Sequence, residues 1–345
     1  MQVSEKRLVK EWDVSAFDRV SNEWTTTVNK SYTYEDDREP FSPAVSAKIT
    51  PSRRKSTNQP YESIFVYGDQ QIDYRRLDNN ELLPVHDERA MKLARYICRD
   101  IQPKHIVNLG DTIDLAALSR FDPDSDHFHR TIGPAFQRVH DFYAELRSDN
   151  PNATITEVDS NHNVRLKNFV LKKMPQLYGL RRAGSSDTYP VMTYPHLANL
   201  EHLDVNWIGG YGAAEFEYAD DLAFMHGTIA SASGSTAQKL SKENPDRNVV
   251  QGHAHRAESF HRTDRKGKIL GAHVVAALCK TTGEVPSFHS GVDDLNLPVK
   301  YQENWQQGAM HIRAYPSGHY QFDHILFRDG KAFYDGREYD ASGVA

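Results

Sequence analysis

Short apolar runs that each end in a polar cluster are the feature that most limits how this chain can fold. Between Ser63 and His255 they read SIFVYGD, HIVNLGD, TITEVDSNH, LAFMHG and NVVQGHAH. Apolar runs of this length, bounded by Gly, Asp or Asn, are typical of buried strands. The pattern therefore predicts strands that deliver polar side chains at their carboxyl ends.

Amphipathic stretches separate the first three of these runs. HDERAMKLARYICRDI places Ala90, Leu93, Ala94 and Ile97 at helical spacing, with Pro103 just past its end, and GPAFQRVHDFYAELRSD repeats the arrangement. Strand, helix, strand repeated twice predicts parallel pairing with right-handed crossovers. Alternating runs from about Gly308 to Tyr339 predict an antiparallel strand group instead.

Composition excludes several classes of protein. The formal charge is −6, from 41 Lys plus Arg against 47 Asp plus Glu, which excludes a strongly basic nucleic-acid coat. Two cysteines far apart in sequence make a disulfide scaffold or a cysteine-rich zinc module unexpected. The amino terminus has no apolar signal region and no window resembles a membrane span, so we expect a cytoplasmic protein with no membrane partner.

The amino-terminal segment differs from the rest of the chain. We expect residues 1 to about 60 to form an arm and linker, packed as helices or partly disordered, and residues 61–345 to form one domain. Cap loops are expected at 115–133 and 181–196. The stretch RRAGSSDTYP at 181–190 has two interpretations, a contact for a phosphate backbone or a polar connector.

The polar clusters are expected to meet at one place. In open α/β architectures ligands bind in the crevice outside the carboxyl ends of the strands. The clusters offer carboxylate, amide oxygen and imidazole groups, which are the ligands that Mn, Zn or Fe take, and a carboxylate can bridge two ions. Seventeen histidines alongside two cysteines agree with such a site. Each Gly-Asp taken alone is more often an ordinary turn.

The order of these clusters resembles the calcineurin-like metallophosphoesterase family. The family pattern is D-x-H, G-D-x-x-D, G-N-H-[DE], a lone His and G-H-x-H, and four elements match closely over residues 66–255. A D-x-Q first element, SRF after GDTID and the late NW-x-QG segment resemble a phage-borne branch, which implies the cytoplasm of a host cell. The resemblance implies a four-layer α-β-β-α sandwich of two mixed sheets flanked by helices.

The resemblance also implies a set of site residues. Two divalent metal ions would be held, the first by Asp69, Gln71, Asp111 and His255, and the second by Asp111, Asn161, His226 and His253. His162 would protonate the leaving oxygen or stabilise charge, Asp114 would orient an imidazole, and Arg165 is a candidate phosphate clamp. Two cations would make a water acidic enough to attack phosphorus in line.

Two departures from the family pattern bear on the chemistry. Gln71 stands where a histidine is usual, and its amide oxygen should favour a harder ion such as Mn over Zn, with Fe, Ni or Mg as further candidates. Ser160 and Asn163 replace the usual Gly and acidic residue, which leaves the orientation of His162 less determined than the ligands.

The expected function is hydrolysis of phosphodiesters in DNA, another nucleic acid or a nucleotide, as the phage-type resemblance implies. Two alternatives stay open. A phosphomonoesterase acting on phosphoprotein or a small nucleotide fits the net charge of −6, because no extended basic stripe is visible. A binding protein with a decayed metal site would account for Gln71, Ser160 and Asn163.

Overall fold

The structure is a computed structural model that describes residues 6–18, 23–34, 46–47, 60–77, 79–119, 130–231, 233–282 and 304–343. Most of the predicted linker and of the cap loop expected at 115–133, including the Arg-Phe of SRF, lies outside these residues.

The strands and helices are numbered here in chain order. The strands are β1 Lys6–Asp18, β2 Glu23–Tyr34, β3 Glu62–Tyr67, β4 Tyr74–Arg76, β5 Leu82–Pro84, β6 His105–Asn108, β7 Thr154–Val158, β8 Val205–Ile208, β9 Glu215–Ala219, β10 Leu222–Met225, β11 Asn248–Gln251, β12 Glu258–Thr263, β13 Ile269–Val274, β14 Gln307–Ala314, β15 Tyr320–Arg328, β16 Lys331–Tyr334 and β17 Arg337–Asp340. The helices are α1 Glu88–Ile101, α2 Ile132–Asp149, α3 Val164–Lys173, α4 Tyr194–Leu197 and α5 Thr236–Glu243.

The chain divides into two compact units, Met1–Ser42 and Pro43–Ala345. In the first unit β1 and β2 form an antiparallel hairpin, with Trp12 opposite Asn29. The expectation of helices in this arm was therefore wrong for the described residues. The sequence here is rich in Thr, Val, Trp and Tyr, which favour strands because their branched or aromatic side chains suit a pleated surface.

Two sheets form the second unit. The larger has eight strands in the order β17-β16-β15-β14-β3-β6-β7-β8, and the smaller has five in the order β12-β13-β11-β10-β9. Strands β3, β6, β7 and β8 run parallel to one another, as do β10, β11 and β13. The remaining pairings in the two sheets are antiparallel, so both sheets are mixed.

Side-chain alternation along the strands explains the layers. In β3, Ile64 and Val66 belong to a buried cluster with Leu222, Phe224 and other residues of the smaller sheet. Phe65 and Tyr67 point to the opposite face and pack in a cluster with α1 and α2. Helix α5 packs on the other side of the smaller sheet through Leu240. The second unit is therefore a four-layer α-β-β-α sandwich, which confirms the expected fold class.

Helix α1 shows how the local sequence sets these elements. Asp87 precedes the helix with extended backbone, and its side chain accepts hydrogen bonds from the backbone N–H groups of Arg89 and Ala90. Such a cap is worth about 1 kcal/mol. The helix ends at Ile101, and the next residue, Gln102, caps it in the left-handed region before Pro103. None of the described helices is both long and apolar enough to cross a membrane.

Candidate metal centre

Backbone hydrogen bonds join the loops that follow β3, β6 and β11. The N–H of Asp69 donates to Gly110 O at 2.8 Å, and the N–H of Gln71 donates to Asp111 O at 2.8 Å. The N–H of His253 donates to Asp69 Oδ2 at 3.1 Å. The polar clusters predicted at the strand ends therefore meet at one edge, where both sheets contribute.

Two glycines are required by the closeness of these loops. A Cβ on Gly252 would lie 2.9 Å from Asp69 Oδ2. Gly110 has φ +94°, and a Cβ there would lie 2.6 Å from both Ser160 Cβ and Val158 O. Ser160 uses this proximity, because its Oγ accepts a 2.7 Å hydrogen bond from the N–H of Asp111. The serine that departs from the family pattern thus positions Asp111.

Three predicted ligands of the second metal form a compact group. Asp111, His226 and His253 each offer a ligand atom, and these atoms lie within 4.8 Å of one another, the one such group of His, Cys, Asp or Glu among the described residues. His226 Nε2 is 3.4 Å from Asp111 Oδ2 and 3.2 Å from His253 Nδ1. The fourth predicted ligand, Asn161, brings its Oδ1 to 2.7 Å from the same Nε2.

The proton of His226 can be assigned from its other ring nitrogen. Nδ1 lies 2.8 Å from Leu109 O, and a carbonyl oxygen only accepts, so Nδ1 carries the proton. Nε2 of the neutral ring is then a lone pair that faces the oxygens of Asn161 and Asp111. Lone pairs that converge without a shared proton repel one another unless a cation lies between them.

Burial and neighbouring rings set the ionisation of this group. Burial alone would raise the pKa of Asp111, but the imidazoles of His162, His226 and His253 together hold it below its ordinary value. Burial, with His226 as the next cause, lowers the pKa of His253 to about 4. An ionised carboxylate beside a neutral imidazole is the state that a metal ion requires of its ligands.

The predicted ligands of the first metal also lie together. His255 Nε2 is 3.2 Å from Asp69 Oδ1, and this oxygen is buried with no hydrogen-bond partner in the described residues, although the imidazole is within ion-pair distance. Gln71 is buried, and its amide nitrogen is 3.5 Å from the same Nε2. A flip of the amide would present the oxygen instead, since the two atoms are assigned from surrounding hydrogen bonds.

His162 lies between Asp114 and Arg165. Its Nδ1 is 2.6 Å from Asp114 Oδ1, which is within ion-pair distance. The geometry at Nδ1 does not meet that of a hydrogen bond to a described residue, so the contact is electrostatic. Nη2 of Arg165 donates to His162 Nε2 at 3.1 Å, and Nη1 donates to Asp114 O and Oδ1 at 2.7 and 2.8 Å. Because a guanidinium only donates, Nε2 is a lone pair and the proton of the neutral ring is on Nδ1.

Sequence reasoning missed one buried carboxylate beneath the centre. Glu157 is fully buried in β7 and accepts hydrogen bonds from Thr112 and Asn163, which follow Asp111 and His162 directly. In the sequence, this residue could have been noticed as the one charged side chain inside the run TITEV, which otherwise reads as a buried strand. Trp305, whose ring centroid is 4.3 Å from that of His255, was noted only as part of a motif.

Comparison with known proteins finds distant structural likenesses alone. No family model and no curated protein matches the sequence. Similar solved structures include a novel archaeal phosphodiesterase at 10% identity and TM-score 0.33, covering 76% of this chain and 99% of that one. Others are Vps29 of Chaetomium thermophilum at 11% identity and TM-score 0.31, covering 77% of this chain and 98% of that one, and a dimetal phosphatase of Danio rerio at 12% and 0.33, covering 78% and 96%. Likeness this distant says nothing about activity, so function is argued from the side chains.

Proposed function

We propose that this protein is a metal-dependent phosphoester hydrolase that cleaves phosphodiesters of a nucleic acid or nucleotide. The observation on which this rests is the convergence of Asp111 Oδ2, His226 Nε2, His253 Nδ1 and Asn161 Oδ1 beside His162. Asp111 Oδ2 and Asn161 Oδ1 accept, as does His226 Nε2 when Nδ1 carries the proton toward Leu109 O, and His253 Nδ1 accepts in the tautomer that is protonated on Nε2. In that state a divalent cation satisfies all four at once.

Two ions would be divided among the residues as the sequence predicts. The first ion would be held by Asp69, Gln71 and His255. The second would be held by Asn161, His226 and His253, and Asp111 would hold both ions. Bound divalent ions supply charge neutralisation at the phosphoryl group and lower the pKa of a water. The amide of Gln71 favours Mn over Zn, since an amide oxygen is a harder ligand than the imidazole nitrogen usual at this position.

The proton of the leaving group is assigned to His162 Nε2. When this nitrogen is protonated, the imidazolium keeps its other N–H toward Asp114, whose carboxylate lies at 2.6 Å and compensates the charge. A protonated Nε2 no longer accepts from Arg165, so Nη2 becomes available to a phosphoryl oxygen while Nη1 stays on Asp114. The group formed by His162, Asp114 and Arg165 thus combines proton donation with phosphate contact.

Two observations support the proposed substrate class. The D-x-Q and NW-x-QG segments resemble the phage-type branch, in which nucleic-acid processing is common. Solvent-exposed cations continue from the centre along α3, which suits a substrate with more than one phosphate.

An activity panel tests the reaction. In Mn we expect the protein to hydrolyse bis-p-nitrophenyl phosphate faster than p-nitrophenyl phosphate, and to degrade DNA. Asp111→Asn keeps an oxygen to accept from the N–H of His162, a 2.9 Å hydrogen bond, but lacks the charge needed to hold two ions, so turnover should be abolished.

The matched control is Asp329→Asn, in the exposed turn after β15, where backbone φ of 52° suits asparagine. It should retain the wild-type rate, and both variants should unfold like the wild type in urea. Near-normal turnover by folded Asp111→Asn would refute the metal-centre assignment.

A further inference from the structure

A basic tract begins at the candidate metal centre, although the chain has a net charge of −6. From Ser160 to Ser186 the sequence contains no Asp or Glu. Its cations are Arg165, Lys167, Lys172, Lys173, Arg181 and Arg182. We call residues 165–182 the α3 tract.

Helix geometry aligns the tract with the centre. Helix α3 starts at Val164, directly after Asn161 and His162, and buries Leu166 and Val170. Arg165 and Lys172 are seven residues apart, so they lie on the same side of the helix about 10 Å from each other. Arg165 contacts His162, so Lys172 extends this line of charge away from the reacting phosphate.

The lysines of the tract are exposed and not neutralised by the described part of the protein. Lys172 and Lys173 are exposed, and no described carboxylate lies within ion-pair distance of either. Cations that are not paired within the fold keep their full attraction for an external anion.

Beyond α3 the charge continues on an ordered loop. Arg181 donates to the carbonyl oxygens of Asp187 and Thr188 at 2.6 and 3.1 Å, which fixes its guanidinium. Arg182 lies 3.5 Å from Asp187 in an exposed ion pair, and ion pairs of this kind contribute little to stability.

Apolar side chains lie exposed among these cations. Leu171 is 44% exposed, Tyr178 53% and Leu180 47%. Surfaces that bind single-stranded nucleic acid typically have cations along the path of the nucleic-acid backbone. Aromatic rings between these cations stack on the bases. An acidic peptide would use the charges but give no reason for the exposed ring.

We propose that the α3 tract binds a single-stranded polynucleotide, holding the nucleotides next to the phosphate at the metal centre. The inference rests on the proposed function and narrows its substrate to a strand rather than a free nucleotide. A duplex fits less well, because it presents stacked, paired bases that Tyr178 cannot reach, and the tract is short.

Binding without metal tests the tract separately from catalysis. The probe is a fluorescein-labelled oligothymidylate in EDTA, followed by anisotropy over a range of NaCl concentrations. The variant Lys172→Gln/Lys173→Gln/Arg182→Gln should lower the log–log salt slope by about 2, because each phosphate that a cation neutralises contributes about 0.7 to the slope. Tyr178→Ala should weaken binding roughly five-fold or more, because a base can no longer stack on the ring.

The matched control removes three exposed cations from helix α5 and from the turn between β12 and β13, Lys242→Gln/Arg265→Gln/Lys266→Gln, and should bind like the wild type. In Mn, the KM for the oligonucleotide should rise in the tract variant far more than the KM for bis-p-nitrophenyl phosphate. Equal salt slopes for the tract and control variants would overturn the proposal.

Three further outcomes separate the possible failures. Polyglutamate that competes as well as the oligonucleotide, with no effect of Tyr178→Ala, would assign the tract to an acidic polypeptide and overturn the inference. If the wild type hydrolyses bis-p-nitrophenyl phosphate but the tract variant binds DNA normally, only this inference fails. If no metal supports hydrolysis, the proposed function fails whatever the anisotropy shows.

Discussion

Replacing Glu157 by glutamine tests how a buried carboxylate supports the loops of the candidate centre. Its Oε1 accepts from Thr112 Oγ1 at 2.5 Å and Asn163 Nδ2 at 2.9 Å, and its Oε2 accepts from the hydroxyls of Tyr143 at 2.7 Å and Tyr194 at 3.0 Å. Four donors favour the ionised carboxylate, whereas complete burial favours the protonated one. The two effects oppose each other, and their balance fixes the pKa.

Burial is the stronger effect, because it raises the pKa of Glu157 from 4.5 to about 7 despite the hydrogen bonds. A folded-state pKa above the unfolded value means that the native state binds the proton more tightly. The stability from this group is therefore fully present below pH 4.5 and is lost as pH rises through 7. At 1.36 kcal/mol per pKa unit, the difference between 4.5 and about 7 corresponds to about 3 kcal/mol.

The assay is urea unfolding of wild type and Glu157→Gln in EDTA at several values between pH 5 and pH 8.5. Glutamine does not titrate, so the difference between the two unfolding free energies isolates Glu157 while all other groups cancel. This difference should change by about 3 kcal/mol across the range, with the wild type losing more stability as pH rises. Parallel pH profiles would show that the four donors keep Glu157 ionised, and would refute the reasoning.

Substitutions at two further positions examine the chemistry of the centre. His162→Ala should lower turnover by about 10²–10⁴ with metal content nearly intact, and the loss should be smaller for substrates with good leaving groups; metal analysis that finds an empty site would make His162 a ligand instead. Gln71→His should tighten the first metal and shift the preference from Mn toward Zn, whereas Gln71→Ala should weaken the first metal and spare the second. Titrations of activity and bound metal compare these two proteins with the wild type, and identical curves would exclude Gln71 as a ligand.

Much of the site region could be predicted because its signals are local. The runs ending at Asp69, Asp111 and His253 are buried strands followed at once by polar residues, and parallel strands bring their carboxyl ends to one edge. The helix between β3 and β6 was equally clear, because its apolar spacing and the following Pro103 agree, and the structure adds a cap at Asp87. Each of these signals is complete within about fifteen residues.

The features that the sequence did not predict depend on contacts between distant parts of the chain. Strand β12 alternates half-buried and exposed residues that carry no strong strand signal. It is fixed by pairing with β13, where Phe260 lies opposite Ala272. Glu157 is stabilised by Tyr143 and Tyr194, which precede and follow it by 14 and 37 residues. No local pattern shows that these hydroxyls meet one carboxylate, so the sequence indicated a strand and missed the network.

Backbone conformation explains why ordinary turn propensity misjudges the loops of the candidate metal centre. Asp69, Gln71, Asp111, His253 and His255 have φ between 49° and 67°, where a residue with a Cβ costs about 1–2 kcal/mol. Glycine would remove that cost at each position but would offer no ligand. The surrounding hydrogen bonds, such as those from the N–H groups of Asp69 and Gln71 to the loop after β6, hold the strained residues in place. Positive φ also occurs at described residues outside the centre, such as Asp329. What distinguishes these five residues is that their loops meet at one place, which agrees with the proposed shared ligand.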